Sequence, residues 1–218
     1  MVLMSSLIDF VAPDTCRLCG GSLGRVWSRG VCDGCWEELP VSVSRVSGPS
    51  TLIDTFSLGP YEGRLGELVC HSKYGSKVSL VDALGCRLGD ALNGSVDVDV
   101  VTFVSIPRVR RWRRGFDQGE RLARAVSGRL GIPFERLLLR KPGLRQVGKG
   151  AEERRRLQAS DFRVRGVELP GRILLIDDVR TTGASLNAAA SALIEGGATS
   201  IWAATVCHQD GKKTLQKV

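Results

Sequence analysis

The sequence predicts an α/β fold, in which a mostly parallel sheet is flanked by helices and preceded by a small metal-binding segment. Three observations lead to this prediction. Apolar runs alternate with helical segments through the second half of the chain, two C-x-x-C pairs lie near its start, and the run ILLI leads directly into two adjacent aspartates. The 218 residues are enough for one ordinary α/β domain plus a small appendage.

The composition is that of a soluble globular protein, with 43% apolar and 25% charged residues. No apolar run approaches the roughly 20 residues that span a bilayer. The first residues have no basic region and carry Asp9 inside an apolar stretch, so they do not resemble a signal peptide. They fit a short amphipathic helix better. We therefore expect a cytoplasmic protein without membrane insertion.

Four cysteines near the start have the spacing of a zinc site. Cys16 and Cys19 form one C-x-x-C pair, and Cys32 and Cys35 form a second pair, with twelve residues between the two pairs. Each short gap lets a turn direct two sulfurs at one ion, and four thiolates leave no open coordination position, so the predicted role of Zn²⁺ is structural. Free or redox-active thiols are the alternative interpretation.

A serine-rich connector with a Gly-Pro break follows the cysteines, at about residues 41–52. We place the domain boundary there. Residues 1–50 then comprise the short helix, the four-cysteine zinc ribbon and a linker, and residues 51–218 form the larger α/β domain.

The elements of the larger domain are predicted in chain order. An edge strand lies around Phe56, and two helices follow, through Leu65 to Val69 and through Leu80 to Leu88. A strand ends near Ile106, and an arginine-rich loop then leads into a helix over residues 118–130. The strand Ile173–Ile176, a helix over residues 185–195 and a final strand SIWAATVCH complete the pattern of βαβ units.

The stretch IDDVRTTGAS carries the clearest chemical signal. Asp177 and Asp178 stand where a strand buried on both faces leaves the core, and two carboxylates there can accept hydrogen bonds from a vicinal diol. Small residues and hydroxyls then lead into a helix N-terminus, which suits a phosphate. The stretch thus predicts a receptor for a ribose 5-phosphate. An ordinary N-capped turn explains the threonines but not the paired acids.

Basic residues are concentrated in the middle of the chain. Residues 105–165 hold 18 Lys or Arg against 6 Asp or Glu, and the whole chain has a net charge of +8. This concentration indicates an anionic partner, although a solvated basic face is the alternative. Cations interleaved with Trp112 suit the backbone and bases of a single strand. The nucleic-acid candidates are Arg110, Arg111, Trp112, Arg113, Lys149, Arg154 and Arg155.

The run LLIDDVRTTGASL resembles the phosphoribosyl-pyrophosphate (PRPP) motif of the type I phosphoribosyltransferases. The order of the other segments narrows the resemblance. A four-cysteine ribbon, then YEGRLGELVCHSKYG, IPRVRRWRRGFDQGERLA and QVGKGAEERRR before the PRPP motif, is similar to the ComF family, which includes the ComFC and GntX proteins. The similarity extends over nearly the whole chain.

The resemblance implies roles for individual residues. Asp177 and Asp178, the candidate catalytic residues, would contact the ribose hydroxyls, and Mg²⁺ would be held largely by the substrate's oxygens. The PRPP-binding set is completed by the phosphate loop, Thr181, Thr182, Gly183, Ala184 and Ser185. The implied pyrophosphate-binding residues are Arg108, Arg113, Arg114 and Gln118.

Three positions depart from the family pattern. Asp117 stands in place of an asparagine and is expected to lower PRPP affinity modestly. Gly143 and Leu157 stand where the family usually has a threonine and an asparagine. The loss of these polar groups is expected to affect turnover more than PRPP binding.

Two functions from different classes follow. The first is a ComF-type protein that binds PRPP or another phosphoribosyl ligand with Mg²⁺. It would serve as an accessory factor of competence, contacting single-stranded DNA and proteins of DNA uptake or recombination. The alternative is an active phosphoribosyltransferase that transfers phosphoribosyl from PRPP to a small nitrogenous acceptor with release of pyrophosphate.

Overall fold

The computed structural model describes residues 15–23, 29–74, 78–107, 111–112, 115–141, 157–166 and 168–209. The described helices are α1 (Asp33–Glu37), α2 (Arg64–Tyr74), α3 (Val78–Leu92), α4 (Gln118–Leu130) and α5 (Ala184–Glu195). The described strands are β1 (Ser44–Arg45), β2 (Thr55–Pro60), β3 (Val100–Phe103), β4 (Leu138–Arg140), β5 (Phe162–Val164), β6 (Arg172–Arg180) and β7 (Ser200–His208). The predicted N-terminal amphipathic helix falls outside these ranges.

Five strands form one sheet in the order β1-β2-β7-β6-β3. The pairs β2–β7, β7–β6 and β6–β3 are parallel, and only β1, at the edge, runs antiparallel to its neighbour β2. Helices connect the parallel strands, as parallel pairing requires. The predicted fold class, a mostly parallel sheet flanked by helices, is confirmed.

Strand β6 lies in the middle of the core, and its aliphatic run Ile173–Ile176 is fully buried. Leu174 and Ile176 pack into one apolar cluster together with α2, α3, α4 and buried residues from 16 to 39. We call residues 16–39, which contain the four N-terminal cysteines, the cysteine segment. Ile173 and Leu175 pack into a second cluster together with α5 and the hairpin of β4 and β5. Successive side chains of a strand point to opposite faces, so an uninterrupted apolar run fits a strand covered on both sides.

Two strands have bounds that differ from the prediction. Strand β3 ends at Phe103 rather than near Ile106, whereas β6 continues past Ile176 to Arg180. Strand β6 extends further because β7 stays paired with it as far as Arg180 and His208. The antiparallel pair β4–β5 was not predicted, since each strand has only three residues.

Among the described residues, no helix combines the length and the apolar character that crossing a membrane requires. The boundary between residues 50 and 51 stays a prediction.

Candidate functional site

The acid pair lies at the carboxyl edge of the sheet. The pairing of β3 with β6 ends at Phe103 and Ile176, so Asp177 and Asp178 follow directly beyond the end of β3. Both side chains are half-buried. The Asp178 N–H donates to Asp177 Oδ1 at 2.9 Å, and the Val179 N–H donates to Asp178 Oδ1 at 2.8 Å. These bonds orient both carboxylates at the rim of the sheet.

The phosphate loop connects β6 to the N-terminus of α5. Gly183 occupies the N-cap position with a φ of 76°, a left-handed conformation that favours glycine. Thr181 and Thr182 are exposed, and the Ala184 N–H donates to Thr182 Oγ1 at 3.4 Å. The first N–H groups of a helix carry partial positive charge, so this loop presents an electropositive end directly after the acid pair.

Tyr61, which was not predicted as a site residue, lies near enough to Asp178 to interact with its charge. It follows β2, and its N–H donates to the His208 carbonyl at 2.7 Å. The Tyr61 hydroxyl is 2.9 Å from Cys70 Sγ. The hydrogen bond with Cys70 and burial raise the pKa of Tyr61 to about 12, and the negative charge of Asp178 adds to the effect. The sequence gives one indication of this position, since Tyr61 directly follows the strand predicted around Phe56.

The predicted pyrophosphate site is described only in part. Arg108, Arg113 and Arg114 lie outside the described residues. Gln118 is buried, and its Nε2 donates to Ser72 Oγ at 2.6 Å, so this side chain joins α4 to α2.

Asp117, the family-pattern departure next to Gln118, is a buried N-cap of α4. Its Oδ1 accepts N–H bonds from Gly119 at 3.1 Å and Glu120 at 3.4 Å, and its Oδ2 accepts from Ile106 at 3.3 Å. Burial raises the pKa of Asp117, although the backbone N–H bonds oppose the effect. Asp117 therefore holds the start of α4 against the loop that follows β3.

A basic cavity of about 650 Å³ lies between the loop after β3 and the β4–β5 hairpin. Its cationic lining residues are Arg111, Arg136, Arg140, Lys141, Arg163 and Arg165. Among the described residues, no carboxylate lies within ion-pair distance of Lys141, Arg163 or Arg165. Arg136, Arg140 and Lys141 were not predicted to belong to this basic surface, because the pairing of β4 with β5 was not predicted.

Glu120 neutralises part of this basic charge. Its carboxylate, with 10% of the side chain exposed, pairs with Arg124 at 3.0 Å, with Arg136, and with Arg111 at 3.9 Å. Burial alone would raise the pKa of Glu120, but the hydrogen bonds from Arg136 and Arg124 outweigh it and lower the pKa. Glu120 is thus ionised, and it holds Arg136 at the wall of the cavity.

Trp112 is 87% exposed and follows Arg111, one of the lining residues of the cavity. An exposed indole ring can stack on another planar group. The other predicted nucleic-acid residues, Arg110, Arg113, Lys149, Arg154 and Arg155, lie outside the described ranges.

The four N-terminal cysteines converge as predicted. Their Sγ atoms all lie within 4.8 Å of one another, and Cys19 and Cys32 are 3.8 Å apart. Four thiolates at about 2.3 Å from a tetrahedral zinc ion are separated by about 3.8 Å, so the cluster fits zinc. Cys16 and Cys35 are buried, while Cys19 is exposed and Cys32 lies between.

The pKa values of the two buried thiols, Cys16 and Cys35, are shifted in opposite directions. Burial raises the pKa of Cys16, but N–H bonds from Cys32, Cys19 and Leu18 outweigh it and lower the pKa to about 6. Burial and the neighbouring sulfurs raise the pKa of Cys35 to about 12. A metal ion would favour the thiolate form of both.

No family model matches the chain. The competence protein ComFC of Streptococcus pneumoniae (strain ATCC BAA-255 / R6) is 37% identical over 101 residues, which are 45% of this chain and 44% of ComFC. The chain thus matches less than half the length of this curated relative.

Solved structures similar to this chain include the glutamine PRPP amidotransferase from B. subtilis complexed with ADP and GMP. The TM-score is 0.45, with 20% identity, covering 63% of this chain and 30% of that one. An adenine phosphoribosyltransferase has a TM-score of 0.40 and 16% identity, covering 81% of this chain and 90% of that one. In sequence, the chain resembles the ComFC competence protein, and its structure is a parallel α/β sheet with flanking helices and an N-terminal four-cysteine cluster.

Proposed function

We propose that the chain is a member of the ComF family that binds PRPP or another phosphoribosyl ligand together with Mg²⁺. One observation carries this proposal: two adjacent carboxylates at the carboxyl end of β6 lie directly before a small-residue loop at the N-terminus of α5. Ligands of open α/β sheets bind at this edge. The local identity to ComFC supports the family assignment.

Each part of a ribose 5-phosphate then has a counterpart in the site. Asp177 and Asp178 accept hydrogen bonds from the ribose hydroxyls, and the loop of residues 181–185 binds the 5-phosphate with hydroxyls and backbone N–H groups. Mg²⁺ is held mainly by the ligand's oxygens and compensates for their negative charge next to the acids. In this proposal, residues 51–218 form the phosphoribosyl-binding domain, and residues 1–50 include a ribbon with a structural Zn²⁺.

Comparison of ribose 5-phosphate with 2-deoxyribose 5-phosphate tests this proposal by calorimetry. The deoxy compound lacks one hydroxyl of the diol, and we expect it to bind about tenfold more weakly, because a charge-assisted hydrogen bond is lost. The variant Asp178→Ala should bind ribose 5-phosphate much more weakly and lose most of this preference. The control variant Asp97→Asn, which changes an exposed acid at the opposite end of the sheet, should discriminate as the wild type does. Equal affinities in the wild type would contradict a diol receptor.

The enzymatic alternative is phosphoribosyl transfer from PRPP to a nitrogenous base. The acids would position the ribose, and arginines would stabilise the departing pyrophosphate. Leu157 packs half-buried against the cluster around α5, so the polar group of the family pattern is replaced by an apolar contact. Gly143 lies outside the described residues. Release of pyrophosphate that requires an added nucleobase would favour the enzyme, and PRPP binding without release would favour a binding protein.

A second function, contact with single-stranded DNA, is favoured by the exposed Trp112 next to Arg111, which lines the basic cavity. Phosphates would pair with the cations, and a base would stack on the indole. A cytoplasmic competence accessory factor that acts with DNA-uptake or recombination proteins would use such a surface.

Fluorescence anisotropy of a labelled single strand at several salt concentrations tests the DNA contact. We expect affinity to fall steeply with salt. Trp112→Ala and the double variant Arg111→Ala/Arg113→Ala should weaken binding. Arg45→Ala, which removes an exposed cation of the β1 edge, should not. Affinity that does not change with salt would exclude this contact.

A further inference from the structure

The four-cysteine cluster is buried on one side and open to water on the other. Cys16 is 2% exposed and Cys35 is 6% exposed, and both belong to the apolar cluster that includes α2, α3 and α4. Cys19 is exposed, and Cys32 is half-buried. A reagent dissolved in water therefore has access to two of the four sulfurs, while the other two are shielded.

The two accessible sulfurs belong to different C-x-x-C pairs and lie close together. The distance from Cys19 Sγ to Cys32 Sγ is 3.8 Å. A disulfide bond is about 2.05 Å long, so a modest approach of these two sulfurs is enough to form one. Cys16 Sγ accepts the Cys32 N–H at 3.4 Å and packs inside the apolar cluster, so an oxidant in water does not reach it directly.

We propose that Cys19 and Cys32 form an oxidation site whose co-reactant is a hydroperoxide, and that its product is a disulfide between the two C-x-x-C pairs. This inference rests on the proposed zinc site. Cysteines that bind Zn²⁺ are held as thiolates, and the thiolate is the nucleophilic form of cysteine.

The oxidation takes place in two steps. The Cys19 thiolate attacks one oxygen of hydrogen peroxide, the O–O bond breaks, and a sulfenic acid and a hydroxide ion are formed. The Cys32 thiolate then attacks the Cys19 sulfur, so that an S–S bond forms, the S–O bond breaks, and a second hydroxide ion leaves. In total, two thiolates lose two electrons, and one molecule of peroxide gains them.

The disulfide removes two of the four zinc ligands. The two remaining thiolates, Cys16 and Cys35, do not complete a tetrahedral site, so we expect the oxidised chain to lose Zn²⁺. Because the disulfide joins the two C-x-x-C pairs, it replaces the connection that the metal makes between them.

Treatment of the full, zinc-replete chain with hydrogen peroxide in the presence of a chromogenic chelator tests this proposal. We expect the release of one zinc ion per chain. Reduction with dithiothreitol followed by added zinc should restore the original zinc content, because a disulfide is reversible whereas sulfinic and sulfonic acids are not reduced by this reagent.

Peptide mapping of the oxidised wild-type chain identifies the two sulfurs. Trypsin separates the cysteines of the first pair by cleavage after Arg17. The peptide of residues 18–25 then contains Cys19, and the peptide of residues 30–45 contains both cysteines of the second pair. Mass spectrometry should find these two peptides linked, and fragmentation should locate the second sulfur at Cys32.

Gly21 offers a variant that leaves all four ligands in place. A Cβ at this position would lie 3.4 Å from Cys19 Sγ, so a valine there covers the exposed sulfur. We expect Gly21→Val to bind one zinc ion and to release it about threefold more slowly under peroxide, because access limits the oxidation of a thiolate. Gly34→Val is the control, since nothing lies within 4 Å of its added Cβ, and it should release zinc at the wild-type rate.

Three results would overturn the proposal. They are zinc retained under a peroxide treatment that oxidises Cys86, a disulfide within the first C-x-x-C pair, and a release rate in Gly21→Val equal to that of the wild type. A chain that holds no zinc before the treatment would contradict the zinc site itself, so the two failures are distinguishable.

Discussion

Asp117 shows how a single residue combines a structural and a functional contribution. From the sequence, the departure from the family's asparagine predicts weaker PRPP binding because of an added negative charge. In the structure, the same carboxylate caps α4 with two N–H bonds and accepts a third from Ile106. An asparagine oxygen can accept the two capping bonds without a charge, but its Nδ2 cannot accept the bond from Ile106.

We expect Asp117→Asn to gain stability relative to the wild type as the pH rises above 3.8, the ordinary pKa of this carboxyl. The raised pKa of Asp117 means that the folded protein binds this proton more readily than the unfolded chain does. Stability is therefore lost as the pH rises from the ordinary value of 3.8 through the raised one. Urea unfolding should show that the advantage of asparagine shrinks as the pH is lowered through that range.

A matched variant separates the effect of the helix cap on stability from the effect of the Asp117 charge. Asp117→Ala should be about 1 kcal/mol less stable than Asp117→Asn, because alanine cannot cap the helix. An advantage of asparagine that grows at acid pH would contradict the assigned role of the buried carboxylate. The predicted effect on PRPP is separate, and Asp117→Asn should bind PRPP more tightly.

At the scale of elements, α3 and α4 pack closely through two glycines. A Cβ at Gly85 would lie 2.7 Å from the Ala125 Cβ, and one at Gly89 would lie 2.7 Å from the Arg129 Cβ. We expect Gly85→Ala to lower the free energy of unfolding by about 1–2 kcal/mol, because overpacking exceeds the gain in helix propensity.

Gly128 in α4 is the control, since nothing lies within 4 Å of its added Cβ. Gly128→Ala should raise the free energy of unfolding by up to about 1 kcal/mol. Urea denaturation of both variants measures the difference. Equal changes in the two variants would show that α3 and α4 do not depend on the close approach.

The elements that the sequence predicts best are those with local signals. Helix α4 covers the predicted residues 118–130 because Asp117 caps its start and Gly131, with a φ of 69°, ends it. The end of β6 could not be predicted, because it depends on pairing with β7, a partner distant in sequence. The β4–β5 pair could not be predicted because each strand has only three residues and the two strands are separated by 21 residues.

At the scale of the whole molecule, the cysteine segment is attached to the sheet domain by Arg87 of α3. Its guanidinium donates to the carbonyls of Trp36, Leu39 and Pro40, and it lies 4.6 Å from the centre of the Trp36 ring. Cys16 and Cys35 belong to the same apolar cluster as the helices on that face. The fold of this segment and the stability of the larger domain are therefore coupled.

Removal of zinc should destabilise the chain as a whole. We expect a chelator, or the variant Cys19→Ser, to lower the midpoint of thermal unfolding by about 5 °C or more, which is roughly 2 kcal/mol for this chain length. Cys86→Ser, which changes a cysteine outside the cluster, should keep one zinc per chain and the wild-type midpoint. A chain that loses zinc without any change in its midpoint would contradict the coupling.

How well each candidate site could be predicted depended on how far apart its residues lie in the sequence. The cysteine pairs and the acid pair with its phosphate loop are contiguous in sequence, so their spacing alone was sufficient. The basic cavity is lined by Arg111 together with Arg163 and Arg165, which lie far from it in the sequence. Arg180 donates a hydrogen bond to Ser47, which is 133 residues away in the sequence. Such contacts depend on the topology of the sheet.

Calorimetric titration of the zinc-replete chain with PRPP and Mg²⁺ tests the central claim most directly. We expect saturable binding at one site, loss of binding in Asp178→Ala, and wild-type binding in Asp97→Asn. Absence of binding by the folded wild-type chain, or equal binding by Asp178→Ala, would contradict a phosphoribosyl site at the end of β6.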